Sequence, residues 1–129
     1  MSDKEFIAID ANDTGKQLEQ YILKEDLMGL SQFSLSITEA INEIRDIINN
    51  KNGFVYMAGG DNILAALPIE NSESVFRAIK GMCFTKEIMF VAGIGDSAID
   101  SYLALKYAKA TKKSLIRCKN NDFSEIDIE

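Results

Sequence analysis

The strongest constraint on the fold lies between residues 54 and 68. Two apolar runs, Phe54-Val55-Tyr56-Met57-Ala58 and Ile63-Leu64-Ala65-Ala66-Leu67, flank Gly59-Gly60-Asp61-Asn62, and the only proline of the chain, Pro68, closes the second run. Short β-prone runs around a glycine turn read as an antiparallel hairpin, and a proline at a strand's end stops the ladder there. A hairpin is marginal alone in water, so further strands or a helix must cover it.

The flanking segments supply them. Phe6-Ile7-Ala8-Ile9 is a short strand that stops at the turn-prone Asp10-Ala11-Asn12-Asp13. From Thr14, the apolar residues Leu18, Tyr21, Ile22 and Leu27 recur at helical spacing, with Thr14 or Asp13 as the expected cap. A second helix is expected over 35–51, with Ile37, Ile41, Ile44, Ile47 and Ile48 on one face and Asn52-Gly53 ending it. After the hairpin come a helix over 72–82 capped by Ser72, a strand over 87–93, and a helix over 97–112. A strand over 114–118 and an acidic tail over 120–129 follow. On the helix over 97–112, Ile99, Leu103, Tyr107 and Ala110 are expected to pack on the sheet.

The order βααββαβαβ implies an α+β class. It fits a ferredoxin-like, palm-type sandwich with a mixed, mostly antiparallel sheet and helices covering one face. With no repeat and no linker, residues 1–129 are expected to form a single domain.

Composition excludes several functions. There is no histidine, which removes Ser-His-Asp and Cys-His catalysis and any His-ligated metal. Lys and Arg total 14 against 20 Asp and Glu, a net charge of −6. That charge argues against a general nucleic-acid or membrane-surface binder. Cys83 and Cys118 form no CxxC motif and read as free buried thiols in a reducing compartment. The start, MSDKEFIAID, lacks a signal peptide's apolar run, and no stretch is long enough to span a bilayer. A cytoplasmic protein is expected.

Three features could carry chemistry. Asp10 ends the first strand, with Asn12 and Asp13 beyond it. Gly59-Gly60-Asp61-Asn62 forms the hairpin tip. If the first strand lies beside the hairpin, Asp10 and Asp61 project from neighbouring strand ends. Paired carboxylates there suit Mg²⁺, which takes oxygen ligands and keeps waters that a nucleotide phosphate can replace. Gly59 and Gly60 would let a phosphate approach the backbone. Each motif is also ordinary turn chemistry. The third feature is a stripe of Tyr102, Lys106, Lys109 and Lys113, spaced by four, three and four, which reads as a triphosphate clamp or as a solvated lysine face. Metal ligands, a glycine turn and phosphate-neutralising cations together suit phosphoryl transfer, which needs little beyond positioning and charge stabilisation.

Asp10 at a strand end, the Gly-Gly-Asp-Asn hairpin and the segment Ala104-Leu105-Lys106-Tyr107-Ala108-Lys109-Ala110-Thr111-Lys112-Lys113-Ser114 resemble the palm-type nucleotidyl cyclases. These include the GGDEF diguanylate cyclases and the palm of the type III CRISPR large subunit. The resemblance runs from about Phe6 to Ile116. Diguanylate cyclases carry an Ala-Leu-Tyr-x-Ala-Lys-x-x-Gly-Arg-Asn segment whose Lys and Arg hold the triphosphate, and Lys109 and Lys113 match those positions. The size, Gly93-Ile94-Gly95 and Tyr102-Leu103-Ala104-Leu105-Lys106-Tyr107-Ala108-Lys109 are most similar to the minimal CRISPR polymerase family, mCpol.

That resemblance implies a homodimeric nucleotidyltransferase making a cyclic dinucleotide, cyclic di-AMP from ATP, as an anti-phage signal read by a separate effector. It implies Mg²⁺, or Mn²⁺ in its place, held by Asp10, the Ala11 carbonyl and Asp61. Asn12, Asp13, Gly59, Gly60, Asn62, Lys109 and Lys113 would bind the nucleotide. Position 62 is Asn where GGDD and GGDEF proteins have an acid, so one ligand is missing and Asp13 is the expected substitute. Guanine preference is not carried over, because Lys112 and Lys113 stand in place of the Gly and Arg. The alternatives are a purine nucleotide hydrolase like GTP cyclohydrolase III, and a nucleotide sensor without turnover.

Overall fold

Side chains of the central sheet point to two faces, with an irregularity between Val55 and Met57 in the first strand of the hairpin, and helices pack on both faces. The computed structural model describes residues 3–86 and 88–127. The elements run β1 (Lys4–Ala11), α1 (Thr14–Leu23), α2 (Leu27–Asn50), β2 (Phe54–Gly59), β3 (Asn62–Pro68), α3 (Ile69–Lys86), β4 (Phe90–Gly95), α4 (Ala98–Thr111), β5 (Leu115–Lys119) and β6 (Asp122–Glu125). The spatial strand order is β2-β3-β1-β4-β5-β6. Among the described residues only β4 and β5 pair in parallel, so the sheet is mixed and mostly antiparallel, as expected.

Period-two alternation sets the two faces. On one, Ile7, Ile9, Ile63, Leu67, Phe90 and Ile94 join Ile37, Ile41, Ile44 and Ile48 of α2 and Val75, Phe76 and Ile79 of α3 in the larger core. On the other, Ala8, Val91, Ile116 and Cys118 meet Ala104, Leu105 and Ala108 of α4. The expectation of helices on one face is therefore corrected: α4 lies opposite α2 and α3.

The packing surface of α4 is corrected too. Ser101, Ala104, Leu105 and Ala108 are buried, whereas Ile99 is 72% exposed and Leu103, Tyr107 and Ala110 also face out. Small residues line the sheet because the helix backbone comes very close to Gly93. A Cβ on Gly93 would stand 2.1 Å from the Leu105 nitrogen and 2.4 Å from the Ser101 carbonyl oxygen. The displaced Tyr107 stacks on Phe123 of β6, ring centroids 4.4 Å apart.

Other boundaries moved. The tail holds β6, which pairs with β5 through Arg117↔Ser124 and Cys118↔Phe123 and adds a strand to the expected order. α2 begins eight residues earlier than expected, at Leu27, with Asp26 accepting from the Gly29 N–H at 3.0 Å. α3 starts at Ile69, directly after Pro68, so Ser72 is inside the helix and its hydroxyl returns to the Pro68 carbonyl. β4 runs to Gly95, while Glu87, read as the start of that strand, and residues 128–129 of the tail lie outside the described residues. Ser97 caps α4 by accepting from the Asp100 N–H at 3.1 Å. Among the described residues, no helix is long and apolar enough to cross a membrane.

Cys83 and Cys118 are both buried and free, in the cores of opposite faces. Burial raises both thiols above their ordinary pKa, and the Asp100 carboxylate adds to the rise at Cys118.

Candidate active site

The carboxyl end of β1 sits between β3 and β4, and the pairing register builds the site from there. Asp10 lies opposite Asn62 on one side and Val91 on the other, and Ala11 lies opposite Phe90. Parity puts Asp10 on the α4 face, with Ala8, while Ala11 is buried on the other face with Ile7 and Ile9.

The hairpin brings Asp61 to the same place. Gly59 ends β2 and pairs with Asn62, so the two turn residues are Gly60 and Asp61 rather than the glycine pair. Gly60 has φ +57, a conformation that glycine adopts without steric cost. The Ala11 N–H donates to the Asp61 carbonyl at 2.9 Å, which ties the hairpin tip to the end of β1. Two carboxylates are thus carried by adjacent strand ends. Asn12 and Asp13 follow in the exposed turn before α1, where the Asn12 N–H donates to the Met89 carbonyl at 2.8 Å.

Among the described residues, each carboxylate has one side-chain partner. The Lys109 ammonium, on the side of α4 that faces β1, pairs with Asp10 Oδ2. The Thr14 hydroxyl donates to Asp61 Oδ2 at 2.9 Å. Capping of α1 therefore differs from expectation. Asp13 occupies the cap position at φ 59 with no side-chain capping bond, and the Thr14 hydroxyl reaches the hairpin instead. Thr14 was not legible as a site residue, since its partner lies 47 positions away.

The lysine stripe is divided. Lys106 stands over the Tyr102 ring, 5.3 Å from its centroid. The helix ends at Thr111, and Lys112 turns into the left-handed region at φ 58, so helical projection no longer governs Lys113. Lys113 lies 3.7 Å from Glu125 of β6. Asp10, Ala11, Asp61, Asn62 and Lys109 come together, Asn12, Asp13, Gly59 and Gly60 rim them, and Lys113 is directed elsewhere.

Among the described residues, no group of three or more His, Cys, Asp or Glu side chains is gathered for a metal. The donors present are oxygens of two carboxylates, each with one oxygen engaged and one remaining, and this hard-oxygen chemistry suits Mg²⁺ or Mn²⁺ bound with waters. A cavity of about 360 Å³ lies on the other face of the sheet, lined by Phe76, Ile79, Cys83, Phe90 and Leu115 among others, and takes no part in this site.

The mixed six-stranded sheet with helices on both faces has a fold similar to the palm of GGDEF-type proteins. A diguanylate cyclase/phosphodiesterase from Caldicellulosiruptor saccharolyticus has a similar structure, with a TM-score of 0.63 at 17% identity over 96% of this chain and 82% of that one. Residues 6–118 match the minimal CRISPR polymerase domain, mCpol, and the chain belongs to that family. Membership sets it among polymerase-like domains. No curated protein matches its sequence significantly.

Proposed function

We propose that this protein is a Mg²⁺-dependent nucleotidyltransferase that joins two nucleoside triphosphates, ATP by expectation, into a cyclic dinucleotide. The product would serve as a signal in anti-phage defence, made in the cytoplasm and read by a separate effector. The observation that carries the reading is the meeting of Asp10 and Asp61 on adjacent strand ends, with Lys109 of α4 reaching Asp10. Membership in the mCpol family supports it.

Asp10, Asp61 and the Ala11 carbonyl would hold the cation. When bound, the cation supplies Lewis-acid charge, which acidifies a ribose hydroxyl and neutralises phosphate oxygens. The chain's own residues do the rest. Gly59 and Gly60 offer open backbone for a triphosphate, since a Cβ at either would meet nothing within 4 Å. Asn12, Asp13 and Asn62 would hold the nucleotide beside it. Lys109 would neutralise charge on the phosphates as pyrophosphate departs. Lys113 would join it only by leaving Glu125, an exposed pair worth about 0–1 kcal/mol.

Cyclisation forms two phosphodiester bonds. In each, a ribose hydroxyl oxygen attacks the α-phosphorus of the other nucleotide, the bond to pyrophosphate breaks, and the hydroxyl proton is released. Two copies facing each other, each holding one triphosphate, would present the hydroxyls reciprocally.

The test is incubation of the purified chain with each nucleoside triphosphate and Mg²⁺, with products identified by mass. A cyclic dinucleotide with pyrophosphate is the expected result. Opening of the purine ring would identify a hydrolase, and unchanged nucleotide would identify a sensor. Asp10→Ala and Asp61→Ala should each remove most turnover, while circular dichroism stays that of the parent. A folded variant with near-parental rate would refute the paired-carboxylate site.

A further inference from the structure

Thr14 opens α1 and is only 5% exposed. A threonine at a helix start ordinarily spends its hydroxyl on a nearby backbone N–H. Here that hydroxyl donates to Asp61 Oδ2 at 2.9 Å. The same two segments are joined again by the Ala11 N–H to the Asp61 carbonyl at 2.9 Å. Asp61 is therefore tied to the β1–α1 segment through both its main chain and its side chain.

The two carboxylates of the site are treated differently. Asp10 is held by an ammonium, a positive charge with which an incoming cation must compete. Asp61 is held by a neutral hydroxyl, which has no such conflict and can stay in place. A carboxylate offers two oxygens. Thr14 takes Oδ2 and leaves Oδ1.

From this we propose that Thr14 is a positioning residue: its hydroxyl fixes the Asp61 carboxylate so that the remaining oxygen is ready for a divalent cation. The proposal rests on Asp10 and Asp61 being the ligands of that cation. Holding a ligand in one orientation before binding removes an ordering cost from the binding step. Thr14→Val keeps the shape of the side chain and deletes only the donor. Thr14→Ser keeps the donor and deletes the methyl.

The experiment is titration of Mn²⁺ into the full chain without nucleotide, read by electron paramagnetic resonance of the free ion, with thermal melting run in parallel. Thr14→Val should weaken Mn²⁺ binding roughly 10-fold or more, the scale found when partners of metal ligands are removed. Thr14→Ser should retain most of the affinity. If Thr14→Val does not fold, Thr14→Ala judged against Thr14→Ser gives the same comparison. Parental affinity in Thr14→Val, or equal losses in Thr14→Val and Thr14→Ser, would overturn the role of the hydroxyl while leaving the cation site standing. Absence of Mn²⁺ binding to the parent chain would overturn the cation site, and the positioning role with it.

Discussion

On one face of the sheet, α2 and α3 bury a run of large aliphatic side chains, with Ile44, Ile48 and Val75 all at 0% exposure. On the other, a single helix presents Ser101, Ala104 and Ala108, and its backbone all but touches Gly93. The first face is held by apolar volume, each fully buried aliphatic side chain contributing about 1.5–3 kcal/mol. The second is held by proximity, where dispersion between close-packed backbones replaces side-chain bulk. A thin layer has a functional consequence. Asp10 belongs to the α4 face and stays within reach of Lys109 and of solvent, with its side chain 18% exposed. A layer of isoleucines there would bury the carboxylate.

Changing one methyl group on each face tests this contrast. Gly93→Ala adds a methyl where backbone atoms of α4 stand 2.1 and 2.4 Å away, and main chain cannot yield as a side chain does. The expected cost is about 3 kcal/mol, the upper part of the usual range for overpacking. Ile44→Val removes a methyl from the thick face and should cost about 0.5–1.5 kcal/mol. Urea denaturation of both variants measures the difference. A Gly93→Ala variant as stable as Ile44→Val would show that α4 can move away freely.

Next in size is an effect on binding. Lys109→Ala should weaken triphosphate binding by about 1.5–3 kcal/mol, the scale of a hydrogen bond to a charged group. Stability should change little, because the pair with Asp10 is partly solvated. Calorimetry with ATP and AMP separates the causes. Equal losses for the two nucleotides would mean that the lysine serves only Asp10.

The thick face was the more legible in sequence. Ile37, Ile41, Ile44 and Ile48 recur at helical spacing because large side chains do the packing there, and periodicity records size. On α4 the same rule misled. Three of its large residues, Ile99, Leu103 and Tyr107, face away from the sheet, while Leu105, Ser101 and the alanines at 104 and 108 are buried against it. Close approach selects for smallness, which hydrophobic periodicity does not weigh. The strand β6 was hidden for a related reason: Asp122–Glu125 is exposed along its whole length, so it has no alternating pattern to read. Asp10 and Asp61 were legible because turn chemistry marks strand ends. The engagement of Asp61 by Thr14 was not, because a contact between residues distant in the chain is fixed only by the pairing of β1 with β3.

The smallest effect comes from the two thiols, one in each face. Cys83 belongs to the thick face but is 8% exposed and lines the cavity of about 360 Å³, whereas Cys118 is 1% exposed beneath α4. A reagent can reach Cys83 through the cavity, but must wait for α4 to lift before it meets Cys118. The reacting species is the thiolate. Burial raises both thiols above the ordinary value of 9.0, so native labelling should be slow at neutral pH and quicken as pH rises past that value. Stability moves the opposite way with pH. The folded chain keeps thiol protons that the unfolded chain releases, so their contribution is whole below pH 9.0 and declines above it. Mass spectrometry of the labelled chain should find Cys83 modified before Cys118. In Gly93→Ala, Cys118 should speed up while Cys83 holds its rate, because only the helix over Cys118 has been pushed away. If both cysteines accelerate together, the two faces open as one cooperative unit and the close-packed helix is no separate layer.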